Sequence, residues 1–121
     1  MKVYTSSYWK YKGSHGVQIA NSVPEGAVTY RRLPMLYPRW DMVTSWNKVK
    51  KLPDTHPEKL KEWKRFEEEY WKKLCSIGAE HIISCLSEGD VLLCWCNKEE
   101  WCHRTILAKW LRLNGVEVEE I

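Results

Sequence analysis

The chain changes hydrophobic period several times, and each change predicts an element. Val3 and Tyr4 begin an apolar segment that stops at Thr5-Ser6-Ser7, which predicts a first strand and a hydroxyl-rich turn. Tyr8 to Gly16 is aromatic and basic without a period and predicts a loop. After the Pro24-Glu25 turn signal, Gly26 to Tyr30 is rich in strand formers and predicts a second strand ending at Arg31 and Arg32. Pro34 and Pro38 exclude a regular helix interior between Leu33 and Pro38.

Helical spacing follows. Val43, Trp46 and Val49 predict a short helix from Trp40 to Val49, with Asp41 in its first turn. Leu60, Trp63, Phe66, Tyr70, Trp71 and Leu74 form one stripe of a long helix opened by Pro57, with Glu68–Lys72 and Glu69–Lys73 as i,i+4 pairs on its solvated face. Gly78 breaks it, and Ile82, Ile83, Cys85 and Leu86 predict a second short helix closed at Glu88-Gly89. Val91 to Cys96 is then a continuous apolar run, the pattern of a central parallel strand covered on both faces. A charged loop, an amphipathic helix from Cys102 to Leu113, the Asn114-Gly115 stop and a terminal strand from Val116 to Val118 complete a strand–helix–strand crossover. Strands separated by helices predict an α/β fold, a three-layer sandwich around a small, largely parallel sheet of Rossmann-like or flavodoxin-like type. Its 121 residues, without repeat or linker, predict one domain.

Composition narrows the function classes. A hydrophobic share of 44% and a charged share of 29% fit a globular protein rather than a disordered chain. The net charge of +3 lacks the dense basic face of a dedicated nucleic-acid binder. No apolar run reaches the roughly 20 residues of a membrane span, and Met1-Lys2-Val3-Tyr4 does not start a signal peptide, so a cytoplasmic location away from membranes is expected. Five cysteines, an odd count, point to reduced thiols and to chemistry or metal rather than a disulfide framework. The eight tryptophans serve first as core residues and second as platforms for a flat ligand.

Three cysteines, a histidine and an arginine fall between Leu92 and Leu107. In an open parallel sheet the carboxyl ends of the strands converge on one edge, which brings Thr5, Ser6, Arg31 and Arg32 toward this segment. A thiol in the first turn of a helix beside an arginine is stabilised as thiolate, so Cys102 is the expected nucleophile and His103 an acid or base. Arg104, Thr5 and Ser6, with Arg31 and Cys96, are the expected ligand-binding residues for an anionic, nucleotide or phosphorylated substrate.

The chain resembles the domain of unknown function 488 family, especially its short members. The resemblance rests on Tyr4-Thr5-Ser6, on Leu36-Tyr37-Pro38 followed by Trp40 and Trp46, on Leu92-Leu93-Cys94-Trp95-Cys96 and on Cys102-His103-Arg104. Two positions depart from the family pattern: Cys96 stands where a glutamate is usual, and Tyr37 where a small residue precedes the proline. The resemblance implies an α/β fold and a cysteine-containing site, and specifies no reaction.

The same residues support other readings. Cys94 and Cys96 share a strand face and could join Cys102 and His103 as zinc ligands, which would make the chain a zinc-stabilised structural protein. Cys96 and Cys102 could pair as a disulfide. The cleft could instead bind a nucleotide or nucleic acid without catalysis, with Tyr8, Trp9 and Tyr11 stacking on bases. In the plainest reading Cys94 is a small buried hydrophobe, Cys102 and His103 only start a helix, and Arg31 and Arg32 are a solvated strand end. Cys75 and Cys85 read as core, and His15, His56 and His81 as surface or capping residues. No cofactor is specified by the pattern, nor is an oligomeric state.

Overall fold

The computed structural model describes residues 1–96 and 101–121, and the charged loop expected at 97–100 lies outside the described residues. Five strands run in one direction: β1 (Lys2–Ser7), β2 (Gly16–Gln18), β3 (Arg31–Arg32), β4 (Val91–Cys94) and β5 (Glu117–Glu120). Their order is β3-β2-β4-β1-β5. The apolar run that predicted a central strand therefore forms the middle strand, and all four of its residues are buried. Between β3 and β4 the chain forms α1 (Trp40–Asn47), α2 (Pro57–Ile77) and α3 (Ala79–Ser84), and between β4 and β5 it forms α4 (His103–Leu113). This is a small α/β sandwich, as the fold class expected, with helices of the main core on one sheet face, loop segments on the other and a sheet that is entirely parallel among the described residues.

Register assigns each strand residue to a face, because side chains alternate. Thr5 pairs with Leu92 and with Glu120, and Ser7 with Cys94, so these residues share one face with Val3, Val17 and Val118. That face packs into the main core beneath Phe66, Tyr70, Leu74, Leu107 and Leu111 of α2 and α4. Val91 and Leu93 point to the other face, where Tyr8, Tyr11 and Ala27 from loop segments cover them.

The helices follow their caps. Pro57 begins α2, and the imidazole of His56 accepts the Glu58 N–H at 3.2 Å, the capping role expected of that histidine. Gly78, with φ of 97°, turns the chain between α2 and α3 where a side chain would be strained. The expected i,i+4 pairs of α2 are not the ones formed: Lys72 lies 4.0 Å from Glu69, and Lys73 donates to the Tyr37 carbonyl and ties the Pro34–Leu36 turn to the helix.

Two strand expectations are corrected. Thr5-Ser6-Ser7 does not form a turn but continues β1, because strands flank it on both sides and its hydroxyls find partners. Residues 26–30 are not the second strand. Gly26, with φ of 82°, sits in a turn, and pairing is limited to Arg31–Arg32, whereas β2 forms at Gly16–Gln18. Gly16 is required there by close packing: a Cβ on it would lie 2.7 Å from the buried Leu93 side chain.

Arg31 braces the amino-terminal end of β4. Its guanidinium lies 2.8 Å from the fully buried Asp90 carboxylate and also donates to Ser87 and to the Cys85 carbonyl. Asp90 further accepts the Ser87 N–H at 2.8 Å and the Tyr30 hydroxyl. Removing one partner of a buried pair strands the other. Asp90→Ala is therefore expected to destabilise the fold by about 3 kcal/mol, read as a lower urea midpoint at unchanged slope.

Candidate functional site

β4 ends at Cys94 on the helix-covered face, and α4 starts at His103 and packs back across β1, β4 and β5. That return places the N-cap residue Cys102 against Cys94, with their sulphurs 2.7 Å apart. Cys96 joins them, and the three Sγ atoms lie within 4.8 Å of one another. Both Cys94 and Cys102 are buried, at 1% and 3% exposure.

Arg104 lies in the first turn of α4 and is 2% exposed. Its Nε and Nη2 grip the two carboxylate oxygens of Glu120 on β5 at 3.1 and 3.2 Å, while Nη1 reaches the Cys94 sulphur at 3.0 Å and the Cys96 carbonyl. The Thr5 hydroxyl donates to the same Glu120 at 2.7 Å. The fork that was expected to hold an anionic ligand is thus occupied by a carboxylate of the protein.

His103 is buried, and its Nε2 lies 2.8 Å from the Ile19 carbonyl, so that nitrogen carries the proton and Nδ1 offers a lone pair. Nδ1 lies 3.7 Å from the Cys102 sulphur. The ring is packed edge-on to Tyr70, whose hydroxyl donates to the Leu36 carbonyl at 2.6 Å.

The electrostatics separate the two buried thiols. Burial opposes charge on Cys94, but hydrogen bonds from Cys102 and Cys96 and the field of Arg104 outweigh it, holding Cys94 well below the ordinary thiol range. Burial and the hydrogen bonds to Cys94 and Cys96 push Cys102 up. Burial pushes His103 down, toward the neutral imidazole. Burial opposes the charge of Arg104, but Cys94 and the hydrogen bonds to Cys94 and Glu120 outweigh it and raise its pKa. These opposite directions make Cys94 the more acidic thiol of the pair and the helix-cap cysteine the less acidic one. The hydrogen bonds from Cys102 and Cys96 are the larger favourable contributions to the Cys94 thiolate, and the Arg104 guanidinium 3.0 Å from its sulphur adds to them.

A cleft of about 280 Å³ opens onto this cluster. Cys94, Cys96, Cys102 and His103 line it, together with Trp40, Trp46, Trp63, Trp95 and Trp101. Trp46 stacks on Trp101 at 5.9 Å, Trp40 is 68% exposed, and Asn21, Ser22, Asn47 and Lys50 supply its polar rim. An apolar, aromatic concavity with a few polar groups is the usual form of a small-molecule site.

Of the residues expected here, Cys94, Cys96, Cys102 and His103 meet at the cleft, and Thr5 and Arg104 stand behind it. Ser6 alternates to the other sheet face, where its hydroxyl donates to the Ile121 carbonyl at 3.4 Å. Arg31 is held by Asp90 at the opposite end of β4. His103 does not belong to the converging thiol group. The stacking set Tyr8, Trp9 and Tyr11 is likewise not among the described lining residues of the cleft: Tyr8 is buried, and the Trp9 indole donates to the Trp95 carbonyl at 2.7 Å. Sequence reasoning missed Glu120 and the cleft tryptophans. A carboxylate on the inward parity of β5, two residues after Val118, was the available sign of a buried cationic partner.

The family model DUF488-N3a, described as the active DUF488-N3 subclade, matches residues 14–115. The match contains all three clustered cysteines, and β1 and Glu120 lie outside it. No curated protein and no solved structure matches the chain.

Arg104→Met is expected to lower stability by about 3 kcal/mol, as for the Asp90–Arg31 pair, since in each the buried partner is removed and a partner about a quarter exposed is left. Without the cation the Cys94 thiolate is less favoured, so its titration moves to higher pH. Thiolate ultraviolet absorbance followed against pH, with Cys94→Ser as the blank, checks the direction.

Proposed function

The chain belongs to the DUF488 family, and on that premise we propose that it is a small thiol-dependent enzyme whose nucleophile is Cys94. The observation that carries this reading is Cys94 among the residues lining the cleft, with the Arg104 guanidinium 3.0 Å and the Cys102 sulphur 2.7 Å from its sulphur. The description of the matching family model as an active subclade agrees with it. In this reading Cys102 holds the proton that a departing group takes, and His103, fixed by Ile19, receives or returns it through Nδ1. Arg104 acts as a positioning residue, bound between Glu120 and Cys94.

The substrate is a small anionic molecule with a flat ring, of nucleotide or phosphorylated type. Tryptophan faces favour such a ring. Because Arg104 is engaged, the anionic end falls to the rim, where Lys50 is the cation among the described lining residues. The cleft volume of about 280 Å³ suits a ligand at the small end of the usual range.

The convergence of three sulphurs within 4.8 Å supports a second reading, in which Cys94, Cys96 and Cys102 would hold a zinc ion. Arg104 would then be an outer partner of the Cys94 ligand.

Limited iodoacetamide labelling of reduced protein, followed by peptide mapping, tests both. The nucleophile reading expects Cys94 to be alkylated before Cys102, and Cys94→Ser to leave the cluster unlabelled at the same dose. Alkylation of Cys102 first would overturn it. About one zinc per chain in protein purified without chelator, with labelling released only by chelation, would favour the second reading.

A further inference from the structure

We propose that Cys94 and Cys102 also act as a reversible dithiol–disulfide pair that exchanges with small organic disulfides entering through the tryptophan-lined cleft. This goes beyond attack on an anionic substrate but rests on Cys94 being the nucleophilic thiolate.

The geometry carries the inference. A disulfide bond is about 2.05 Å long, and the two sulphurs already stand 2.7 Å apart. They come from separately anchored backbone: the Cys94 carbonyl accepts the Tyr8 N–H at 3.1 Å, and the Cys102 carbonyl accepts the Thr105 N–H at 3.1 Å. Neither sulphur must travel far to bond, and both residues are among those lining the cleft through which a reagent would arrive. The pair differs from the Cys96–Cys102 bridge considered from spacing.

The exchange runs in two displacements. The Cys94 thiolate attacks one sulphur of R–S–S–R, the S–S bond breaks, and the first RS⁻ leaves with the proton of Cys102. The resulting Cys102 thiolate attacks the Cys94 sulphur of the mixed disulfide and expels the second RS⁻. Two electrons pass from the cysteine pair to the reagent, giving one Cys94–Cys102 bond, one RSH and one RS⁻. The reverse sequence, with two thiols as reductant, restores the pair.

Arg104 sets the direction of the equilibrium. Its Nη1 lies 3.0 Å from the Cys94 sulphur, where a cation favours negative charge on the reduced sulphur and gains nothing from the disulfide, so it stabilises the reduced state and makes the disulfide the more oxidising one. Loss of that cation should leave a larger fraction of the pair oxidised at the same ratio of reduced to oxidised glutathione.

The test treats reduced, chelator-treated full-length protein with glutathione disulfide, quenches with acid and reads intact mass and non-reduced peptides. The expected wild-type product has lost the mass of two hydrogen atoms and yields a Cys94–Cys102 cross-linked peptide. Cys102→Ser should instead accumulate one glutathione on Cys94, and Arg104→Met should raise the oxidised fraction at a fixed glutathione ratio. A stable glutathione adduct on wild-type Cys94, or a Cys96–Cys102 link in place of the expected one, would overturn the proposal. Iodoacetamide labelling of Cys94 without any cross-link sinks the exchange alone, whereas absence of both reactions at Cys94 sinks the nucleophile reading with it.

Discussion

A buried guanidinium holds the cysteine cluster of this molecule together. Arg104 is 2% exposed, yet its nitrogens bridge the Glu120 carboxylate on one edge strand, the Cys94 sulphur on the middle strand and the Cys96 carbonyl beyond it. A charge in that position is tolerable only with its donors satisfied and a counter-charge at hand. Glu120 supplies one counter-charge and Cys94 the other. The arginine thereby links three elements that are far apart in the chain and biases one thiol toward its ionised form.

The remainder of the site follows from the same packing. Because α4 crosses β1, β4 and β5, its N-cap returns over the end of the middle strand and sets Cys102 against Cys94. His103, next in the chain, turns toward Ile19 and Tyr70 and is fixed in one tautomer by a backbone carbonyl. Trp46, Trp63 and Trp101 from three different segments form the cleft wall, joined by ring contacts of 5.0 to 5.9 Å. Lys59 lies 4.9 Å over Trp101 and donates to the Leu52 carbonyl at 2.9 Å, so the chain joining α1 and α2 is tied to the same wall.

Much of the architecture was legible locally. The apolar run at Val91–Cys94, the stripe of α2, the stop at Gly78 and the terminal crossover are recorded in hydrophobic period and in residues with restricted backbones. β2 was not legible, since Gly16–Gln18 is three residues long and owes its strand character to β4 beside it. Thr5-Ser6-Ser7 reads as a turn by composition and is a strand because its neighbours on either side complete its hydrogen bonds.

The gathering of chemistry between Leu92 and Arg104 was determined by the sequence itself: three cysteines, a histidine and an arginine fall at a strand end and a helix start, which a parallel sheet brings to its carboxyl edge. Which thiol carries the charge, and what the arginine binds, was decided only by tertiary structure. Arg104 could be read as a ligand fork until Glu120, sixteen positions later, occupied it. Arg31 could be read the same way until Asp90, brought back by three helices, claimed it at the far end of the strand. The physical reason is common to both: the partner of a buried charge is set by distance in space at low dielectric, and spacing along the chain carries almost no information about that distance.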